Sequence, residues 1–113
     1  MKKKYRIKKN EDFQYILNRG KSFANRQLVI YYIRKENQTH FRIGISVGKK
    51  LGNAVLRNKI KRYLRESLNL LKDQIRPDVQ IIIIARNDAK NKSFWEIQRS
   101  LKHVLSKQNL LKK

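Results

Sequence analysis

Apolar and polar positions divide this chain into six segments. After a basic start, Phe13, Ile16 and Leu17 recur at helical spacing, with Asn10 as an N-cap, Glu11 and Asp12 suited to a first turn, and Gly20 as a stop. That predicts a short helix over about 11–19. Residues 27–34 (QLVIYYIR) are β-branched and aromatic and read as a strand. Both of its faces are apolar: Leu28, Ile30 and Tyr32 on one, Val29, Tyr31 and Ile33 on the other, so one set faces helices and the other must line something. Residues 41–47 alternate, with Phe41, Ile43, Ile45 and Val47 opposite Arg42, Gly44 and Ser46, as a half-buried strand hairpinned to the previous one would. A loop at 48–52 leads into a helix over about 53–72, with Asn53 as its cap, and Pro77 and Asp78 break the pattern. Residues 79–85 (VQIIIIA) are apolar almost throughout, as a strand covered on both faces would be. Ser93 and Glu96 form a capping-box pattern, and Phe94, Ile97, Leu101, Val104 and Leu105 then share one stripe of a last helix, where Trp95 reads as packing. The order α-β-β-α-β-α predicts a single-domain α+β sandwich of helices on one sheet. The connection from Val47 to Val79 is long enough for a parallel crossover, right-handed by the general rule.

Charge enters most sharply in the long helix. At 100° per residue, Leu56, Ile60, Tyr63, Leu64, Leu68 and Leu71 gather on one side. Arg57, Lys61 and Arg65 step by four along the adjacent side, and Asn58 and Arg62 form a parallel row. Like charges at i,i+4 cost an isolated helix about 0.2–0.5 kcal/mol per pair. A phosphate backbone reverses the sign, because each neutralised phosphate releases counterions, and the arginine fork fits phosphate oxygens. Asn58 has a donor and an acceptor to offer a base edge, a 2′-OH or a hydrated metal ion.

The rest of the 113-residue chain agrees with that reading. It carries 29 Lys and Arg against 8 Asp and Glu, a net charge of +21, which calls for a polyanionic partner, nucleic acid or an anionic membrane surface. With no cysteine, disulfides, zinc fingers and thiol catalysis are excluded. No apolar run approaches a membrane span, and no apolar stretch follows the basic N-terminus as a secretory signal requires, so the expected location is the cytoplasm. The basic ends, 1–9 and 107–113, are expected to fray. His40 and His103 have no acidic partner in sequence, the acids are scattered rather than paired for a two-metal site, and Gly48-Lys49-Lys50 lacks the rest of a P-loop, so no protein active site is expected.

The stretch 52–66, GNAVLRNKIKRYLRE, resembles the signature of the bacterial ribonuclease P protein subunit, with Arg57-Asn58-Lys59 where that family reads Arg-Asn-Arg. KKNEDFQ (8–14), ANRQLV (24–29), GISVGKK (44–50) and IIIIAR (81–86) resemble further family blocks in family order, so the likeness covers nearly the whole chain. The resemblance implies a ribonucleoprotein that removes the 5′ leader of precursor tRNA, with the active site and its magnesium ions on the catalytic RNA and none held by protein side chains. It implies a mainly antiparallel sheet, a left-handed βαβ crossover in place of the right-handed default, and a short extra strand near 21–24. By the same likeness Arg57, Asn58, Lys59, Lys61, Arg62 and Arg65 contact the catalytic RNA. Phe13, Leu17 and Tyr31 line a cleft for the leader, with Lys49 and Lys50 nearby; Leu17 stands where a second aromatic is frequent. The implied partners are ribonuclease P RNA and precursor tRNA, with no membrane and no obligate protein partner. A structural RNA-binding protein of ribosomal type is the alternative that composition alone leaves open. DNA binding is disfavoured because no helix-turn-helix pattern precedes the basic helix.

Overall fold

The computed structural model describes residues 2–112; Met1 and Lys113, the outermost residues of the two basic ends, lie outside the described residues. The elements are α1 (Asn10–Arg19), β1 (Lys21–Ala24), β2 (Leu28–Arg34), β3 (Arg42–Ser46), α2 (Ala54–Leu71), β4 (Val79–Ala85) and α3 (Phe94–Lys107). The extra strand implied by the family likeness is present as β1, antiparallel to β2. The helix starts differ from expectation at α1 only. Lys9 occupies the cap position, Asn10 is already helical, and no side chain caps the end.

The sheet order is β1-β2-β4-β3. β2 and β3 therefore do not form the hairpin that their adjacency suggests. β4 inserts between them, antiparallel to β2 and parallel to β3, and β3-α2-β4 is a parallel crossover. The reason is burial: Val79, Ile81, Ile82 and Ile83 are all fully buried, so β4 needs a neighbour on each edge and a layer on each face, which only the centre of the sheet provides.

The two apolar faces of β2 are resolved by what covers them. Leu28, Ile30 and Tyr32 join Ile81 and Ile83 under α2 and α3, in a main core with Ile60, Leu64, Leu68, Ile97, Leu101 and Leu105. Tyr31 and Ile33 turn to the opposite face, where α1 packs Ile16 against Ile82 in a smaller cluster that includes Ile7. One helix thus lies on one face of the sheet and two on the other. The outer edge of β3 is met by the N-terminal segment, through a parallel bridge of Arg6 to Ile43 in which the Ile7 N–H donates to the Ile43 carbonyl at 3.1 Å.

Two local devices aim the elements that matter later. Gly52 has φ +148°, and a Cβ there would lie 2.7 Å from Leu56 Cδ2, so only glycine makes this turn without strain. The next residue, Asn53, caps α2, its side-chain oxygen accepting from the Leu56 N–H at 2.9 Å. On the other side of the sheet Gly44 is buried under the Phe13 ring, and a Cβ there would come within 2.6 Å of Phe13 Cζ. The missing side chain lets α1 rest on β3 through an aromatic ring laid against bare backbone.

We predict that Gly44→Ala destabilises the protein by about 1–3 kcal/mol through overpacking. In a Phe13→Ala background the same change should be close to neutral. A urea-denaturation double-mutant cycle checks this, and additive losses would contradict the contact.

Candidate nucleic-acid interface

α2 presents three flanks around its buried stripe of Ile60, Leu64, Leu68 and Leu71. Arg57, Lys61 and Arg65 are half-buried along the flank that leans toward β3. Asn58 and Arg62 are exposed on the outer face. Lys59 lies on the third flank, its ammonium 5.6 Å from the Tyr63 ring centroid; the Arg62 guanidinium reaches the same ring at 5.6 Å. Among the described residues only one of the six has a carboxylate within reach: Arg62, 3.8 Å from Glu66. That pair is exposed and contributes little, typically about 0–1 kcal/mol. Arg57 spends its Nε–H on the Gly52 carbonyl at 3.2 Å, which ties its side chain to the start of the helix. The face is therefore a patch of cations held in place by the helix and left mostly without counter-charges.

Phe13, Leu17 and Tyr31 come together on the other face of the sheet, all half-buried and packed on the cluster of Ile7, Ile16 and Ile82. The strand registers define two rows on this face. Ser22, Tyr31, Ile82 and Gly44 align across the sheet beneath α1, and Ala24, Val29, Ile84 and Ser46 align one step beyond it. Ala24 in the second row is exposed, and Val29, Ile84 and Ser46 are half-buried, so a shallow, partly apolar strip borders the helix. Lys49 and Lys50 are exposed on a 3-10 turn (Lys49–Leu51) that follows β3, just past the Ser46 end of that strip.

The two groups of residues meet. A cavity of about 230 Å³ is lined by Phe13 and Gly44 from the cleft side, Lys61 and Arg65 from α2, and Arg6 and Ile45 between them. Sequence reasoning treated the basic helix and the apolar cleft as separate surfaces, and it assigned neither Arg6 nor Gly44 to a site. A glycine inside an alternating strand signals close approach and marks Gly44 in advance; nothing in the sequence marks Arg6, whose place depends on the bridge to Ile43. Trp95 corrects the sequence reading in the opposite sense: it is 65% exposed rather than packed.

Neither histidine belongs to an acid-base pair. His40 Nδ1 lies 3.2 Å from the Phe41 carbonyl, and His103 Nδ1 lies 3.3 Å from the Asn25 amide nitrogen. No group of three or more His, Asp or Glu side chains is placed to hold a metal ion among the described residues. Nor is any helix among them long and apolar enough to cross a membrane.

The family model for Ribonuclease P matches residues 1–109. The ribonuclease P protein component of Oceanobacillus iheyensis is 62% identical over 112 residues, spanning 99% of this chain and 93% of that protein. That of Listeria monocytogenes is 60% identical, spanning 99% and 94%. The solved RNase P protein of Staphylococcus aureus superimposes with a TM-score of 0.87 at 54% identity, covering 94% of this chain and 96% of that one. The RNase P protein of Thermotoga maritima does so with a TM-score of 0.82 at 30% identity, covering 90% and 96%. A family model matched over 1–109, high identity along nearly the whole length and a shared fold have one reading: the chain belongs to the ribonuclease P protein family.

Proposed function

We propose that this protein is the RNA-binding subunit of a ribonuclease P, docking on the catalytic RNA through α2 and holding the 5′ leader of precursor tRNA in the cleft beside α1. The observation that carries the reading is the cavity where Phe13 and Gly44 face Lys61 and Arg65. It makes one continuous surface, cationic on one side and apolar-aromatic on the other.

On the docking side, Arg57, Lys61 and Arg65 offer a row of phosphate contacts, with Asn58, Lys59 and Arg62 beside them for further phosphate, 2′-OH or base-edge contacts. In the cleft, half-exposed Phe13 and Tyr31 offer aromatic surface to an unpaired base, and Leu17 adds apolar packing. Stacking of this kind contributes about 1–3 kcal/mol per base with little sequence preference. That tolerance suits a subunit whose substrates share a tRNA body but differ in leader sequence. Lys49 and Lys50 supply charge for the leader backbone. In this reading the hydrolytic step and its magnesium ions belong to the RNA, in the cytoplasm, and the protein contributes binding and positioning.

Three measurements test it. Reconstitution with a bacterial ribonuclease P RNA should give leader removal at low magnesium that the RNA alone does not sustain; no stimulation would sink the proposal. Replacing Arg57 and Arg65 together by Ala should weaken RNA binding and lower the slope of log K against log salt by roughly two phosphate contacts. An unchanged slope would remove α2 from the interface. Phe13→Ala should weaken precursor tRNA binding by the reconstituted enzyme about fivefold or more, the loss of one stack, and leave mature tRNA nearly unaffected. Equal losses on both would take the leader out of the cleft.

A further inference from the structure

Trp95 is the chain's single tryptophan, and it stands 65% exposed at the start of α3. Tryptophan is highly buried on average, so an indole left in water calls for an explanation. Its surroundings supply one. The indole meets the Phe94 ring edge-on at 5.0 Å, and Phe94 meets Tyr63 of α2 edge-on at 5.8 Å. Lys59 and Arg62 in turn sit over Tyr63. An aromatic strip therefore runs from the basic face of α2 to the first turn of α3 and ends in an exposed ring.

We propose that Trp95 stacks on an unpaired base of the ribonuclease P RNA, with Lys59 and Arg62 taking the flanking phosphates. This rests on the reading that α2 docks on that RNA, and it extends the footprint across the third flank of the helix onto α3. The strip joins the cationic face directly. Its aromatic surface lies beside Lys59, unpaired among the described residues, and Arg62, whose solvent-exposed pair with Glu66 is weak. That make-up complements a single-stranded nucleotide, which offers a base face and a phosphate together. A duplex hides its base faces and offers only the phosphates. The precursor leader is not the occupant. The cleft opens beside the Arg57-Lys61-Arg65 flank, whereas Lys59 and Tyr63 lie on the opposite flank of α2.

The single tryptophan makes the test direct. Titrating the full chain with a bacterial ribonuclease P RNA transcript should quench Trp95 emission, as stacking on a base does, while a fully paired RNA duplex should bind with little quenching. Trp95→Ala and Trp95→Leu should each weaken binding to the transcript by about 5–30-fold, the loss of one base stack. Trp95→Tyr should restore most of it. The salt slope should stay at its native value, because no phosphate contact is removed. Unchanged emission at saturation, equal quenching by duplex, or native affinity in Trp95→Ala would overturn the assignment. A native chain that fails to bind the transcript at all would instead overturn the docking role of α2, a distinct result read in the same titration.

Discussion

The apolar stripe of α2 against the sheet is the contact on which the interface depends. Ile60, Leu64, Leu68 and Leu71 are almost completely buried, each worth about 1.5–3 kcal/mol as an upper estimate. The like-charge pairs along Arg57, Lys61 and Arg65 oppose the helix by about 0.2–0.5 kcal/mol each. Burial wins by several-fold, so the helix holds its cations in a fixed array although they repel. Asn53 and Gly52 add direction by fixing where the helix starts and hence which way each flank points. A flexible basic tail would carry the same charge but would lose conformational entropy on binding.

β3 links the two halves of the surface. Strand alternation turns every second side chain of β3 toward the α1 face, and at the centre of that row stands Gly44. Phe13 comes down onto the backbone there, which draws α1 close to the β3-facing flank of α2 around the strand edge. The same arrangement places Arg6 at the cavity, because the N-terminal segment bridges to Ile43. Aromatic and cationic side chains are thereby brought to one cavity from opposite sides of β3.

The charge balance gives the protein a conditional stability of its own. With +21 net and few carboxylates close enough to pair, self-repulsion is relieved by an anionic partner and by salt. Two of the carboxylates, Asp78 and Glu96, serve local structure. Asp78 is held by two hydrogen bonds from Arg76 at 3.2 and 3.1 Å, which keep its carboxyl below the ordinary range, at the entry to β4. Glu96 closes the capping box with Ser93, and its carboxyl is likewise lowered by the Ser93 hydrogen bonds. Neither sits on α2, where Glu66 is the one carboxylate beside the cations.

Much of the molecule was legible in the linear chain, because the signals involved are local. Helical spacing, the Asn53 cap and the Ser93–Glu96 box set α2 and α3, and the uninterrupted isoleucines of 81–84 announced a strand buried on both faces. The basic face followed from the same periodicity. Strand partners were not legible: adjacency favoured a β2–β3 hairpin, and only the demand of β4 for cover on both edges and both faces put it between them. The exposure of Trp95 was hidden too, since a stripe shows which residues turn inward but not how far a neighbouring helix extends over the next one. Composition and spacing by themselves determined the helices and the charge, and with the charge the expectation of a polyanionic partner, all of which depend on residues close in sequence or on simple counts. Tertiary structure alone decided that Phe13, Gly44, Lys61 and Arg65 share one cavity, because that contact needs the long-range pairing of β3 with β4 and the packing of helices on opposite faces of one sheet.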